Sequence, residues 1–130
     1  MNRIIIIPAF LLALSSHTSA AESYSADYKI CIDKSEGVTS NMLNCNQDEL
    51  KMQDARLNKN YKRAMSVLTA KQKINLRDTQ RLWLKYKEAN CGMQATLTGG
   101  TIDMLFSSGC ELDMTRERAD TLEWLSNVGN

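Results

Sequence analysis

Four cysteines, Cys31, Cys45, Cys91 and Cys110, set the tightest limit on what this chain can fold into. They belong to a chain that opens like an exported one. Arg3 gives a positive start, Ile4 to Leu14 form a short apolar run, and Thr18-Ser19-Ala20-Ala21 supplies small residues for cleavage. That is the layout of a secretory signal peptide, with cleavage expected after Ala20 or Ala21. The apolar run is too short to span a bilayer, and no cysteine sits at the junction to carry a lipid anchor. Residues 1–21 are therefore expected to be the signal peptide, and 22–130 a single domain. In an exported domain of this size an even cysteine count reads as two disulfides. A four-thiolate zinc site would want close C-x-x-C pairs, and the chain has none.

Removing the leader changes the chemistry on offer. The chain holds 16 basic and 15 acidic residues, and Arg3 leaves with the leader, so the mature domain is near neutral. That disfavours nucleic acid, which rewards a basic face, and a polybasic grip on membranes. The leader also carries His17 and Pro8, the only His and the only Pro. A mature chain without His cannot run a Ser-His-Asp or Cys-His mechanism, nor build the usual imidazole metal sites. No catalytic residue, metal ligand or cofactor is expected, and nothing after the leader is apolar enough for stable membrane insertion. The expected location is periplasmic or secreted.

Along the chain, Tyr28 to Asp33 is short and β-branched enough to suggest an extended piece lying on the body. Lys34 to Val38, with Gly37, reads as a loop. Thr39 is the expected N-cap of a helix running to about Leu68. In it Leu43, Leu50, Leu57, Tyr61, Ala64, Met65 and Leu68 recur at helical spacing. Cys45 falls on nearly the opposite side, with Met52, so something must lie over it. The segment carrying Cys31 is the obvious candidate. A second helix begins between Ala70 and Asn75 and runs to Cys91, where Gly92 is expected to stop it. Gly92 to Gly100 is an uncharged loop. Thr101 caps a last helical region in which Ile102, Leu105 and Phe106 share one direction, and Leu112, Thr115, Ala119 and Leu122 another. Ser107-Ser108-Gly109 sits at the mismatch, where a break or kink is expected.

Three pairings of four cysteines are possible; the local pairs Cys31–Cys45 and Cys91–Cys110 are favoured. The Gly92–Gly100 loop can reach about 30 Å if extended, and a helix from Thr101 to Cys110 returns about 14 Å. Each staple is worth about 3 kcal/mol in the loop-entropy picture. The fold class expected is all-α: a small antiparallel bundle of three to four helices held by two disulfides.

Several polar residues lie on the apolar faces. Between Leu76 and Cys91 one helix side gathers Leu76, Thr79, Gln80, Trp83, Tyr86, Lys87 and Asn90 at about 100° per residue. Asp54, Gln80 and Lys87 sit on stripes, and Arg118 lies at the edge of the Leu122 stripe. A lone buried charge is expensive, so these groups should meet. The expected arrangement is a structural network: Asp54 with Lys87 or Arg118, and Gln80 with backbone or Thr115. Trp83 reads as core packing. Trp124 lies roughly opposite Leu112 and Leu122, as a surface hot spot or packed under Tyr24 and Tyr28. Gly99-Gly100-Thr101 before a helix offers N–H groups to an anion, but a lone Gly pair is a weak signal for that, and turn formation is its expected use. Met42, Met52, Met65, Met104 and Met114 read as flexible fillers.

Read in order, the landmarks are Thr39-x-x-Met42-x-x-Cys45, Asp54-x-x-Leu57-Asn58-x-x-Tyr61, Leu76-x-x-x-Gln80-Arg81-x-Trp83-x-x-Tyr86-Lys87-x-x-x-Cys91, Gly99-Gly100, Cys110 and Thr115-x-x-Arg118-x-x-x-Leu122. This series resembles the LprI-like lysozyme-inhibitor family of small exported bacterial domains. The family pattern has Arg where this chain has Lys87, and Lys makes a point-charge contact rather than a bidentate one. The resemblance implies an α-helical domain whose partner is a protein, a lysozyme or another peptidoglycan-active enzyme. Related small periplasmic proteins act as immunity partners against secreted cell-wall toxins, and a structural envelope protein is the rival from another class. The first contact surface expected is the Gly92–Gly100 loop, with Met93, Leu97, Gly99 and Gly100, together with Trp124.

Overall fold

The computed structural model describes residues 24–128; the leader expected over residues 1–21 lies outside the described residues. Four helices follow in order: α1 (Ala26–Lys34), α2 (Thr39–Val67), α3 (Ala70–Gln94) and α4 (Ile102–Val128). There is no strand among the described residues. The all-α, disulfide-held bundle expected from the sequence is what the chain forms.

Local chemistry sets the helix ends, and several differ from the expectation. Tyr28 to Asp33 is helical, not extended. Ser25 caps it, its hydroxyl accepting from the Tyr28 N–H at 3.0 Å, and a six-residue window is too short to show helical periodicity. Glu36 and Gly37 then take left-handed backbone angles, φ 50° and 75°, and turn the chain back. The N-cap of α2 is Val38, with no side-chain cap bond, and Thr39 is its first helical residue. Between α2 and α3 the turn is tight because Thr69 forms a full capping box with Gln72. Gly92 does not stop α3: the helix runs on to Gln94, with Ala95 as C-cap, since a helical Gly costs only about 1 kcal/mol. Helix α4 is continuous through Ser107-Ser108-Gly109. The two stripes need no break because Ile102 and Phe106 remain exposed while the later stripe is buried.

Helix α4 is the centre of the molecule. Its bonds to α2 join Asn46 to Ser108, Asn60 to the Ala119 carbonyl and Arg63 to Asn127. The numbers rise together, so these two helices run parallel. Helix α3 runs antiparallel to α4, with Gln80 at Arg118 and Cys91 at Cys110. Helix α1 lies antiparallel on α2, through Ser25 to Glu49, Tyr28 to Asn46 and the Cys31–Cys45 bridge. Both disulfides are the local pairs, with Cα separations of 5.7 and 5.4 Å.

The apolar core is small. Leu57, Ala64, Leu76, Ala119 and Leu122 form it, with Tyr61, Met65, Leu68, Trp83 and Leu125 packed around. Along the rest of the α2–α4 contact the seam is polar. Asn46, Glu49, Gln53 and Asn60 are all buried, so the covered side of α2 is rotated away from the leucine stripe. Arg56 is the strongest link across it. Its Nη2 donates to Asp120 at 2.6 Å and to the Arg116 carbonyl at 3.1 Å, its Nη1 to Glu123 at 3.4 Å, and its Nε to Gln53 at 3.0 Å.

Two measurements follow. Arg56→Ala removes the bonds to Asp120, Glu123 and the Arg116 carbonyl, though Asp120 keeps Arg116 at 3.7 Å, and should cost about 1.5 kcal/mol in thermal unfolding, whereas Arg63→Ala, at an exposed bond, should cost under about 0.5 kcal/mol; equal losses would refute the seam's weight. Glu49 is the second case. Burial opposes its ionisation, but hydrogen bonds from Ser25 and Gln53 and the charge of Arg56 outweigh that and hold its pKa below the ordinary value. A carboxyl depressed on folding adds stability above its unfolded pKa and loses it as pH falls through the folded value. The stability gap between wild type and Glu49→Gln should therefore be full at pH 6 and close on acidification; a pH-independent gap would contradict it.

Candidate functional site: the Trp83 cluster and the outward side of α3

Helix α3 touches the body along a narrow strip, and only Leu76 and Cys91 are fully buried in it. Trp83 packs on the core from this strip. Around it the polar residues assemble differently from the expected network. Gln80 Oε1 accepts from Arg118 Nε at 2.8 Å. The Trp83 ring then carries two cations, Lys87 Nζ at 5.3 Å and Arg118 Cζ at 5.9 Å from its centroid. Among the described residues neither cation forms an ion pair. Burial lowers the Arg118 pKa from the ordinary arginine value, and its Nη2 is sealed from solvent without an acceptor.

Asp54 is not part of this cluster. It stands exposed on α2, its carboxylate accepting from Asn58 Nδ2 at 3.0 Å. The rotation of α2 toward Asn46, Gln53 and Asn60 carries position 54 out of the interface. Thr115 is fully buried, but its hydroxyl has no hydrogen-bond partner; Gln80 answers Arg118 instead. The structure thus unites Gln80, Lys87 and Arg118 around Trp83 and leaves Asp54 and Thr115 outside.

The loop after α3 is built on Asp103. This buried carboxylate accepts from the Thr98 N–H at 3.0 Å, the Gly99 N–H at 2.8 Å and the Thr98 hydroxyl at 2.8 Å. Burial pushes its pKa up, yet these three donors outweigh it and hold the pKa below the usual aspartate value. The Gly99 N–H is therefore taken by the chain's own carboxylate, and the Gly100 N–H donates to the Thr98 hydroxyl at 3.1 Å. Gly99 at φ +75° is the position where the turn needs glycine. Met93, in the last turn of α3, and Leu97 in the loop are each 58% exposed.

Trp124 is 61% exposed, as a surface residue and not packed away. It does not share a patch with the loop. It lies 14 residues beyond Cys110 on a straight helix, about 21 Å along the axis, whereas the loop hangs from the Cys91–Cys110 end. The surface expected from the sequence divides into two.

What the sequence reading passed over is the flank of α3. Leu82, Tyr86, Ala89 and Met93 stand at i, i+4, i+7 and i+11 and share one side. Leu82 is 67% and Tyr86 62% exposed. Beside this flank, α3 and α4 leave a groove of about 440 Å³ lined by Asn90, Gln94, Phe106, Asp113, Met114 and Glu117, among others. Asn90 braces it, donating to Cys110 Sγ at 3.3 Å and Met114 Sδ at 3.5 Å. Tyr86 reads from sequence as one stripe with Trp83. A helix with a single neighbour covers one edge of such a stripe and bares the other, and the spacing alone does not say which.

A protein of Rhizobium meliloti (strain 1021), itself described as uncharacterized, is 28% identical over 97 residues, a match covering 62% of this chain and 68% of the relative. No solved structure matches the chain. The family described as lysozyme inhibitor LprI matches residues 31–122, a span that holds both disulfides, the Trp83 cluster and the Asp103-anchored loop. The chain therefore belongs to the LprI lysozyme-inhibitor family.

Proposed function

We propose that the protein is an exported binding protein that blocks a cell-wall-degrading enzyme such as lysozyme, and that it does so with the outward side of α3 and the loop that follows. Family membership carries the activity class. The leader's layout and two disulfides support export to an oxidising compartment. The reading assigns no turnover chemistry to the chain.

The geometry suits the task in two ways. Leu82, Tyr86, Met93 and Leu97 present large apolar groups to solvent along one stretch, the kind of residues that act as anchors when a partner covers them. Their support is stiff: the Cys91–Cys110 bridge holds one side and the Asp103 bonds hold the other. A surface already in its bound shape loses little conformational freedom on association. Lysozyme-type enzymes work from a cleft flanked by two carboxyl groups, so a rigid projection laid across that cleft suffices to exclude the polysaccharide.

The test is lysis of a cell-wall suspension by a purified muramidase, with the oxidised protein added in increasing amounts. Wild type should stop lysis near stoichiometry. Tyr86→Ala and Leu97→Asp should each weaken inhibition at least tenfold, about 1.4 kcal/mol, with unchanged melting temperatures. Trp124→Ala, on the separate patch, should leave inhibition intact. A wild-type protein that inhibits no muramidase, or one indifferent to both substitutions, would refute the reading.

A further inference from the structure

We propose that Arg118 heads a binding site for a carboxylate carried on a short apolar stem, seated in the cavity that Leu68, Leu76 and Leu125 wall between α3 and α4. The cavity holds about 240 Å³ and has no acidic residue in its lining. Its volume equals that of about eight liquid waters, enough for one aliphatic side chain with its acid group.

Two arginines of this molecule make the argument. Arg56 is half-buried in a seam and is answered by Asp120, Glu123 and the Arg116 carbonyl. That is what a guanidinium with a purely structural role finds around it. Arg118 is also largely withdrawn from water, yet it has one neutral amide acceptor, Gln80, and among the described residues no carboxylate. Gln80 fixes Nε, and the Trp83 ring flanks the guanidinium, so the group is oriented while its charge is unanswered. Lys87 on the same ring adds a second positive charge without a counter-ion. A guanidinium lining an acid-free cavity, with Leu68, Leu76 and Leu125 in its walls beside the uncharged Gln72, Asn75 and Thr79, favours a ligand that brings a negative group at one end and an aliphatic body at the other. A carboxylate there meets the edge of the guanidinium that lines the cavity.

This site does not rest on the inhibitor reading. The probe is N-acetyl-leucine, with N-acetyl-leucinamide as its neutral twin, titrated into ¹⁵N-labelled protein while the Trp83 indole N–H resonance is followed; Trp124→Phe assigns that resonance. The acid should give a saturable shift and the amide none. Arg118→Lys, which keeps the charge but loses the fork, should weaken the acid at least tenfold. Lys87→Gln, at a half-exposed position, should weaken it several-fold and reduce its salt dependence. Equal shifts with acid and amide would overturn the proposal, as would undiminished acid binding in both variants. The source of the natural carboxylate is then read from the lysis assay: relief of inhibition by saturating acid identifies a carboxylate of the enzyme, and unchanged inhibition identifies a free acid.

Discussion

The guanidinium of Arg56, spread between two carboxylates and a backbone carbonyl of α4, fixes the pairing on which the other helices depend. Parallel helices that share so few large apolar residues need another source of register, and here it is polar. Asn46 and Asn60 sit in the same seam, donating to the Ser108 hydroxyl and the Ala119 carbonyl of α4. Polar contacts of this kind tolerate little sliding, because a shift by one turn would leave buried groups unanswered. Once α2 and α4 are locked, α1 has a back to be stapled to and α3 has one helix to lie against.

That single-sided docking explains where the proposed contact surface lies. Helix α3 contributes Leu76 and Trp83 to the core and spends the rest of its circumference in solvent. An exposed row of Leu82, Tyr86 and Met93 would be a liability on a mobile helix. Here the Cys91–Cys110 bridge and the capping box at Thr69 hold both ends, so the row is displayed on a firm support. The two disulfides have different work: one fastens a short accessory helix, the other clamps the end of the helix that faces outward.

The contrast between Arg56 and Arg118 shows how burial and partners together give a charge its meaning. Both guanidiniums are mostly withdrawn from water, and both touch α4 or arise from it. One is enclosed by acids and acts as a clasp. The other lies over an aromatic ring beside a second cation and lines a cavity that holds no acid. Burial of a charge without its complement is costly enough that the missing partner is a structural clue in its own right.

The sequence by itself determined the class of fold and that two staples form, and it favoured the local pairs that the structure then shows. Cysteine count, leader layout and the 3.6-residue periodicity of Leu57, Leu76 and Leu122 are local or additive signals, and they led to an all-α domain with local disulfides. Gln80, Lys87 and Arg118 were legible as polar residues needing company, because a charge on an apolar stripe is visible in the sequence alone. Only the tertiary structure decided who answers whom. Asp54 looked buried by its phase on the helix, but the covered side of α2 turned toward Asn46, Gln53 and Asn60, and the residue fell outside. Trp124 and the Gly92–Gly100 loop looked like one surface until the straight run of α4 set them about 21 Å apart. Periodicity gives the angle of a side chain around its own axis. Which sector of that circle is covered depends on where the neighbouring helices lie, and their positions are fixed by long-range contacts that no local window contains.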